Sequence, residues 1–64
     1  MNTILINARK QSGLTLKEIA EKSNISQRQY YRLEAGTSKP RIIVAGSIAK
    51  TLNSTIEELF LMDN

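Results

Sequence analysis

A chain of 64 residues and 7.2 kDa makes one small domain, and a domain of this size hides only ~60% of the surface its unfolded chain exposes. With 41% hydrophobic and 23% charged residues the composition is globular, and the absence of Cys and His excludes disulfides, thiol or imidazole catalysis and the usual zinc ligands. The formal net charge of +3 is unevenly placed: residues 26–41 carry Arg28, Arg32, Lys39 and Arg41 against Glu34 alone, whereas residues 51–64 carry Glu57, Glu58 and Asp63 with no basic residue.

Taken in order, the punctuation of the chain cuts it into short helical pieces. Residues 2–12 place Leu5 and Ala8 at helical spacing, with Ile4 and Arg9 on the flanks, and Gly13 supplies the residue that takes a left-handed turn after a helix end. Thr15-Leu16-Lys17-Glu18 has capping-box spacing and predicts a helix from Leu16 to about Ser23, with Ile19 and Ala20 facing inward. Asn24 tolerates positive φ and allows a tight turn. Ser26-Gln27-Arg28-Gln29 repeats the capping box and predicts a helix to Ala35, ended by Gly36, with Tyr30 and Leu33 inward and Ile25 just ahead of the cap.

After the polar loop Thr37-Ser38-Lys39, Pro40 suits the entrance to a helix whose inward positions are Ile42, Ala45, Ile48, Ala49 and Leu52, running until Asn53. Thr55-Ile56-Glu57-Glu58 caps a last short helix through Leu61, with Ile56, Leu59 and Phe60 in the core. Five short helices joined by turns predict an all-α, compact five-helix bundle spanning residues 1–64 as a single domain. Two of those helices, separated by a turn of a few residues over 15–35, fit a helix-turn-helix, whose second member enters the major groove of DNA.

On that second helix the inward stripe of Tyr30 and Leu33 leaves Gln27, Arg28, Tyr31 and Arg32 on the opposite face. Arginine donates two bonds to guanine O6 and N7 and glutamine pairs with adenine in the same bidentate way, so these are candidate base readers; a merely solvated face is the rival reading. Lys39 and Arg41, beside Pro40, are placed to meet phosphates next to the groove. The helix starts at Thr15, with Lys17, and at Ser26 offer free amides and partial positive charge to phosphate oxygens, or serve as caps alone.

The ordered set Gly13-Leu14-Thr15, Lys17-Glu18-Ile19-Ala20-Glu21-Lys22, Ile25-Ser26, Arg32-Leu33-Glu34-Ala35-Gly36, Pro40, Ile48-Ala49-Lys50-Thr51-Leu52 and Thr55-Ile56-Glu57-Glu58-Leu59-Phe60 resembles the Cro and phage-repressor type of helix-turn-helix domain, the XRE family, over about residues 5–60. The resemblance implies a regulator of transcription that binds double-stranded operator DNA as a dimer. It implies Gln27, Arg28 and Arg32 as base readers, Tyr31 facing the groove edge or a thymine methyl, and Arg9 with Glu34 as a semi-buried ion pair. Leu16 departs from the pattern where a phosphate-touching glutamine is common, Asn24 replaces the turn glycine, and Ala8 and Gly46 stand where larger aliphatics are common. A core short of volume at those positions is expected to be filled by Tyr30, Ile4 or Phe60, and Gly46 to be packed against a partner subunit.

Once the inward stripes are assigned, Ile43, Val44, Leu61 and Met62 remain as surplus apolar surface. A homodimer across the fourth and fifth helices is therefore expected, with Ile43, Ala45 or Gly46, Leu61 and Met62 near the twofold axis, the alternative being that Ile43 and Val44 simply cover the core of a shallow domain. Such a dimer demands a palindromic operator with half-sites ~10 base pairs apart. The rival function is a protein-interaction module or antitoxin-type partner binder. Adjacent Glu57 and Glu58, with no nucleophile, Gly-rich phosphate loop or metal spacing nearby, give no basis for an enzyme, and no cofactor, metal or small-molecule ligand is expected. No apolar run approaches the ~20 residues that cross a bilayer, and Met1–Ile6 lacks the length and charge of an export signal, so a soluble, cytoplasmic protein is expected.

Overall fold

The computed structural model describes residues 1–61. Four α-helices run in chain order, α1 (Thr3–Gln11), α2 (Leu16–Lys22), α3 (Gln27–Ala35) and α4 (Ile42–Thr51), followed by a closing turn at Glu57–Leu61. No strand occurs among the described residues, so the all-α class expected from the sequence is the one found. The closing turn is a wider π-helical turn rather than the α-helix expected there. Its start is held by Thr55, whose hydroxyl oxygen accepts from the Glu58 amide at 3.1 Å.

All four α-helices end in the same way. Gly13 (φ 72°), Asn24 (φ 59°), Gly36 (φ 78°) and Asn53 (φ 54°) each take the left-handed conformation just past a helix. At each end the left-handed residue's amide bonds back three residues and the following amide bonds back five, as in Gly36 to Leu33 at 3.2 Å and Thr37 to Arg32 at 3.1 Å. Those paired bonds satisfy carbonyls the helix itself leaves open. Glycine and asparagine share the work because they tolerate positive φ at least cost.

The starts differ more than the ends. Asn2 caps α1, its side-chain oxygen accepting from the Leu5 amide at 2.9 Å. Thr15 and Ser26 close capping boxes on α2 and α3, whereas α4 begins at Ile42 after Arg41 with no side-chain cap.

Leu5, Ile19, Ala20, Tyr30, Leu33, Ile48, Ala49, Leu52 and Leu59 form the buried core, drawn from every element. Tyr30 is the largest fully buried side chain of that core, against which Ala8 packs partly buried. Ile4, expected to help fill it, is 39% exposed. Phe60 is half-buried against the core.

On α4 the expected stripe shifts at its N-terminal end. Ile42 was expected inside and is 78% exposed, while Val44, expected as surplus, packs against the core one turn before Ile48. The cause is position along the helix rather than its phase, since Ile42 lies three and seven residues before buried Ala45 and Ala49. Val44 and Ile48 lie four apart on one face, and α4 begins at Ile42, beyond the edge of the core. Ala45 is also buried, which withdraws it from any contact with a second molecule.

Candidate nucleic-acid interface

The connection between α2 and α3 is four residues, Ser23 to Ser26, and the two helices pack directly on one another. Asn24 makes the reversal. Ile25 tucks half-buried against the core immediately before Ser26 opens α3, which fixes the angle at which α3 leaves the turn.

With Tyr30 and Leu33 buried, α3 turns Gln27, Arg28, Tyr31 and Arg32 to solvent, and all four are exposed. Gln27 and Tyr31 lie four apart, as do Arg28 and Arg32, so the four side chains form two adjacent rows along one face. Ser26, Lys39 and Arg41 are exposed beyond the two ends of the helix, and Thr15 and Lys17 are exposed at the start of α2.

The two capping boxes are alike in geometry and differ in charge. On α2 the Thr15 amide donates to Glu18 Oε1 at 2.9 Å and the Glu18 amide donates to the Thr15 hydroxyl oxygen at 3.1 Å. The bond from the Thr15 backbone, helped by the Thr15 hydroxyl, holds the Glu18 carboxyl below the usual carboxylate range. On α3 the Ser26 amide donates to Gln29 Oε1 at 3.0 Å and the Gln29 amide returns to Ser26 Oγ at 3.0 Å. Ser26 thus has its hydroxyl oxygen engaged in the cap, leaving its hydroxyl hydrogen to donate elsewhere, whereas the Thr15 hydroxyl is turned to Glu18.

Behind the face stands a polar cluster. Arg9 Nε donates to Glu34 Oε2 at 2.6 Å, Arg9 Nη2 donates to Glu34 Oε1 at 3.4 Å, and Arg9 Nη1 donates to the Leu14 carbonyl at 3.0 Å. The side chains are only 14% and 7% exposed. One guanidinium thereby ties α1 to the entrance of α2 and to the last turn of α3, and the bond to Glu34 raises the Arg9 pKa further. Tyr30 lies beside this pair with its hydroxyl buried and unpartnered among the described residues; burial above all, with the Glu34 carboxylate next to it, pushes the phenol far above its ordinary pKa.

Asn2 is the residue that the sequence reading missed. Besides capping α1 it donates from Nδ2 to the Leu59 carbonyl at 2.6 Å, and its backbone amide donates to the Glu34 carbonyl at 2.8 Å. Asparagine ahead of an apolar helix is a good cap, and that was the available signal.

Of the residues assigned to a second copy, Ile43 is 81% exposed and Leu61 63% exposed, and Gly46 is half-buried with open space where a Cβ would stand. Met62 lies outside the described residues. No helix among the described residues is long and apolar enough to cross a membrane, and no group of potential metal ligands gathers among them.

Comparison with known proteins places this geometry. Residues 5–59 match the helix-turn-helix family. An uncharacterized HTH-type transcriptional regulator of Methanothermobacter thermautotrophicus is 36% identical over 64 residues, covering 98% of this chain and 93% of its own. Another, from Archaeoglobus fulgidus, is 33% identical, covering 100% of this chain and 91% of its own. No solved structure matches the chain at a significant level.

Proposed function

The chain belongs to the helix-turn-helix family, of the Cro and phage-repressor type, and from that premise we propose that it binds double-stranded DNA in a sequence-specific way and regulates transcription. The observation that carries this reading is the outer face of α3, where Gln27, Arg28, Tyr31 and Arg32 are exposed together opposite buried Tyr30 and Leu33. Laid in the major groove, Arg28 and Arg32 address guanine O6 and N7, Gln27 addresses adenine, and the Tyr31 ring meets a thymine methyl or the groove edge. Lys17, Lys39 and Arg41, with Thr15 and the free hydroxyl hydrogen of Ser26, hold flanking phosphates and fix the register. These are binding roles, and no catalytic one is assigned.

The protein acts as a homodimer on a palindromic operator, and by covering that operator it represses. Exposed Ile43 and Leu61 support this, with Gly46 three residues after Ile43 on α4. So does an apolar groove of about 550 Å³ between the α3–α4 loop, the start of α4 and the closing turn, walled by Leu33, Pro40, Ile42, Ile56, Phe60 and Leu61. Twofold symmetry sets the two α3 helices ~34 Å apart and the half-sites ~10 base pairs apart. Selection of bound sites from random duplexes tests the whole reading: palindromes with that spacing are expected, and recovery of a pool without sequence preference overturns it.

A further inference from the structure

Resting on this reading of α3, we propose that Gln29 is a positioning residue that sets affinity for the polyanion, by closing the α3 capping box without placing a negative charge where phosphate must approach. Two capping boxes open the two helices of the motif, and their bond lengths agree to within a tenth of an ångström. One is closed by the Glu18 carboxylate and the other by the Gln29 amide. A carboxylate is the more stabilising group in the first turn of a helix, because it also offsets the partial positive charge there. The start of α3 therefore forgoes a stabilising charge that the start of α2 retains.

The geometry says what that choice does. Gln29 Oε1 accepts from the Ser26 amide, which fixes the side chain and turns Nε2 to the other side. Gln29 is exposed, so its two N–H donors are presented to solvent at the end of α3 that carries Gln27 and Arg28. Replacing Nε2 by a carboxylate oxygen leaves the cap in place, exchanges donors for a charged acceptor, and sets that charge in the first turn of α3, where Gln27 and Arg28 also stand. With its oxygen committed to the cap, Gln29 lacks the acceptor that a bidentate pair with adenine needs; it acts on binding through the charge it withholds.

The test compares Gln29→Glu with Gln11→Glu, an identical charge change at an exposed position on α1. The probe is a random-sequence duplex for the electrostatic component and the selected operator for the specific one. Gln29→Glu is expected to melt at or above the temperature of the parent chain, yet to bind both probes about tenfold more weakly at low salt, the deficit shrinking as salt rises. Gln11→Glu is expected to bind within about twofold of the parent, because the charge there is remote and screened. Equal losses in the two variants overturn the proposal, as does a Gln29→Glu chain that binds like the parent. If Gln29→Glu melts low, Gln29→Ala decides: it removes the cap without adding charge, and a loss of affinity as large as that of Gln29→Glu also overturns the proposal. Failure of the parent chain to bind any duplex overturns the functional reading itself, a result distinct from all of these.

Discussion

Asn2 and Leu59, 57 residues apart, are joined by a 2.6 Å hydrogen bond from the asparagine Nδ2 to the leucine carbonyl. The same side chain gives its oxygen to the start of α1, so one residue holds the first helix and the last turn together.

Asn2→Ala removes both bonds. Loss of the cap alone costs about 1 kcal/mol, and the orphaned Leu59 carbonyl adds a comparable amount, so the melting temperature is expected to fall by roughly 10 °C. Asn2→Asp separates the two contributions. It keeps the cap but cannot donate to Leu59, and thermal melts should place it between the parent and Asn2→Ala.

Arg9 and Glu34 are both largely buried, and each is the other's charge partner. Arg9→Ala leaves the carboxylate without compensation, which costs about 3 to 5 kcal/mol for a buried pair. A domain this small has little stability in reserve, so urea melts should show most of it lost. Replacing both, as Arg9→Met with Glu34→Leu, is expected to recover much of that loss, since the cost of the single change is mainly the charge left behind. A double variant no better than Arg9→Ala would show that the Leu14 carbonyl contact matters more than the ion pair.

The Glu18 carboxyl is held below its ordinary range by the Thr15 backbone bond first and the Thr15 hydroxyl second. A carboxyl whose folded pKa is depressed contributes stability that is present above its unfolded pKa and is lost as pH falls through the folded value. Melting temperatures of the parent and Glu18→Gln are therefore expected to differ at neutral pH and to converge in acid. A constant difference across the acid range would contradict the assignment.

Gly46 sits in the middle of α4, and a Cβ placed there meets nothing within 4 Å. For the isolated chain Gly46→Ala should stabilise by about 1 kcal/mol, through helix propensity alone. If a second copy packs closely at this point, the added methyl should at the same time weaken dimerisation. Melting at low concentration together with light scattering across a concentration series reads the two effects separately; a methyl that leaves the dimer untouched would move the twofold axis away from Gly46, toward Ile43 and Leu61.

Local chemistry made much of this fold legible in the sequence. Thr15 and Ser26 announce their helices because capping is settled within four residues, and Gly13, Asn24 and Gly36 mark the ends because few residues tolerate positive φ. Properties that depend on distant packing were not legible. Which of Ile42 and Val44 turns inward depends on where α4 begins relative to the core, and Arg41 supplies no side-chain cap to mark that start. The second bond of Asn2 joins the two ends of the domain, and the π-helical closing turn packs against α1, contacts that no local pattern encodes. The face of α3 was readable because buried Tyr30 and Leu33 fix it by elimination.

That face and its flanks should divide DNA recognition between them. Arg28→Ala or Arg32→Ala removes a group proposed to address a base edge, with an expected cost of about 1 to 3 kcal/mol on the preferred site and little on a random duplex, so base preference relaxes. Lys39→Ala or Arg41→Ala removes a group proposed to meet a phosphate, and is expected to weaken every duplex alike and to lower the slope of log affinity against log salt by about one. Lys39 and Arg41 flank Pro40 in the α3–α4 loop, close in sequence to α3 but outside the helix, which is why the backbone rather than the bases is proposed for them. Competition binding with the selected operator against random duplex, repeated at several salt concentrations, separates the two classes. If all four variants lose the same factor on both probes, α3 is held against DNA by charge alone, and sequence preference must come from the shape and bending of the duplex.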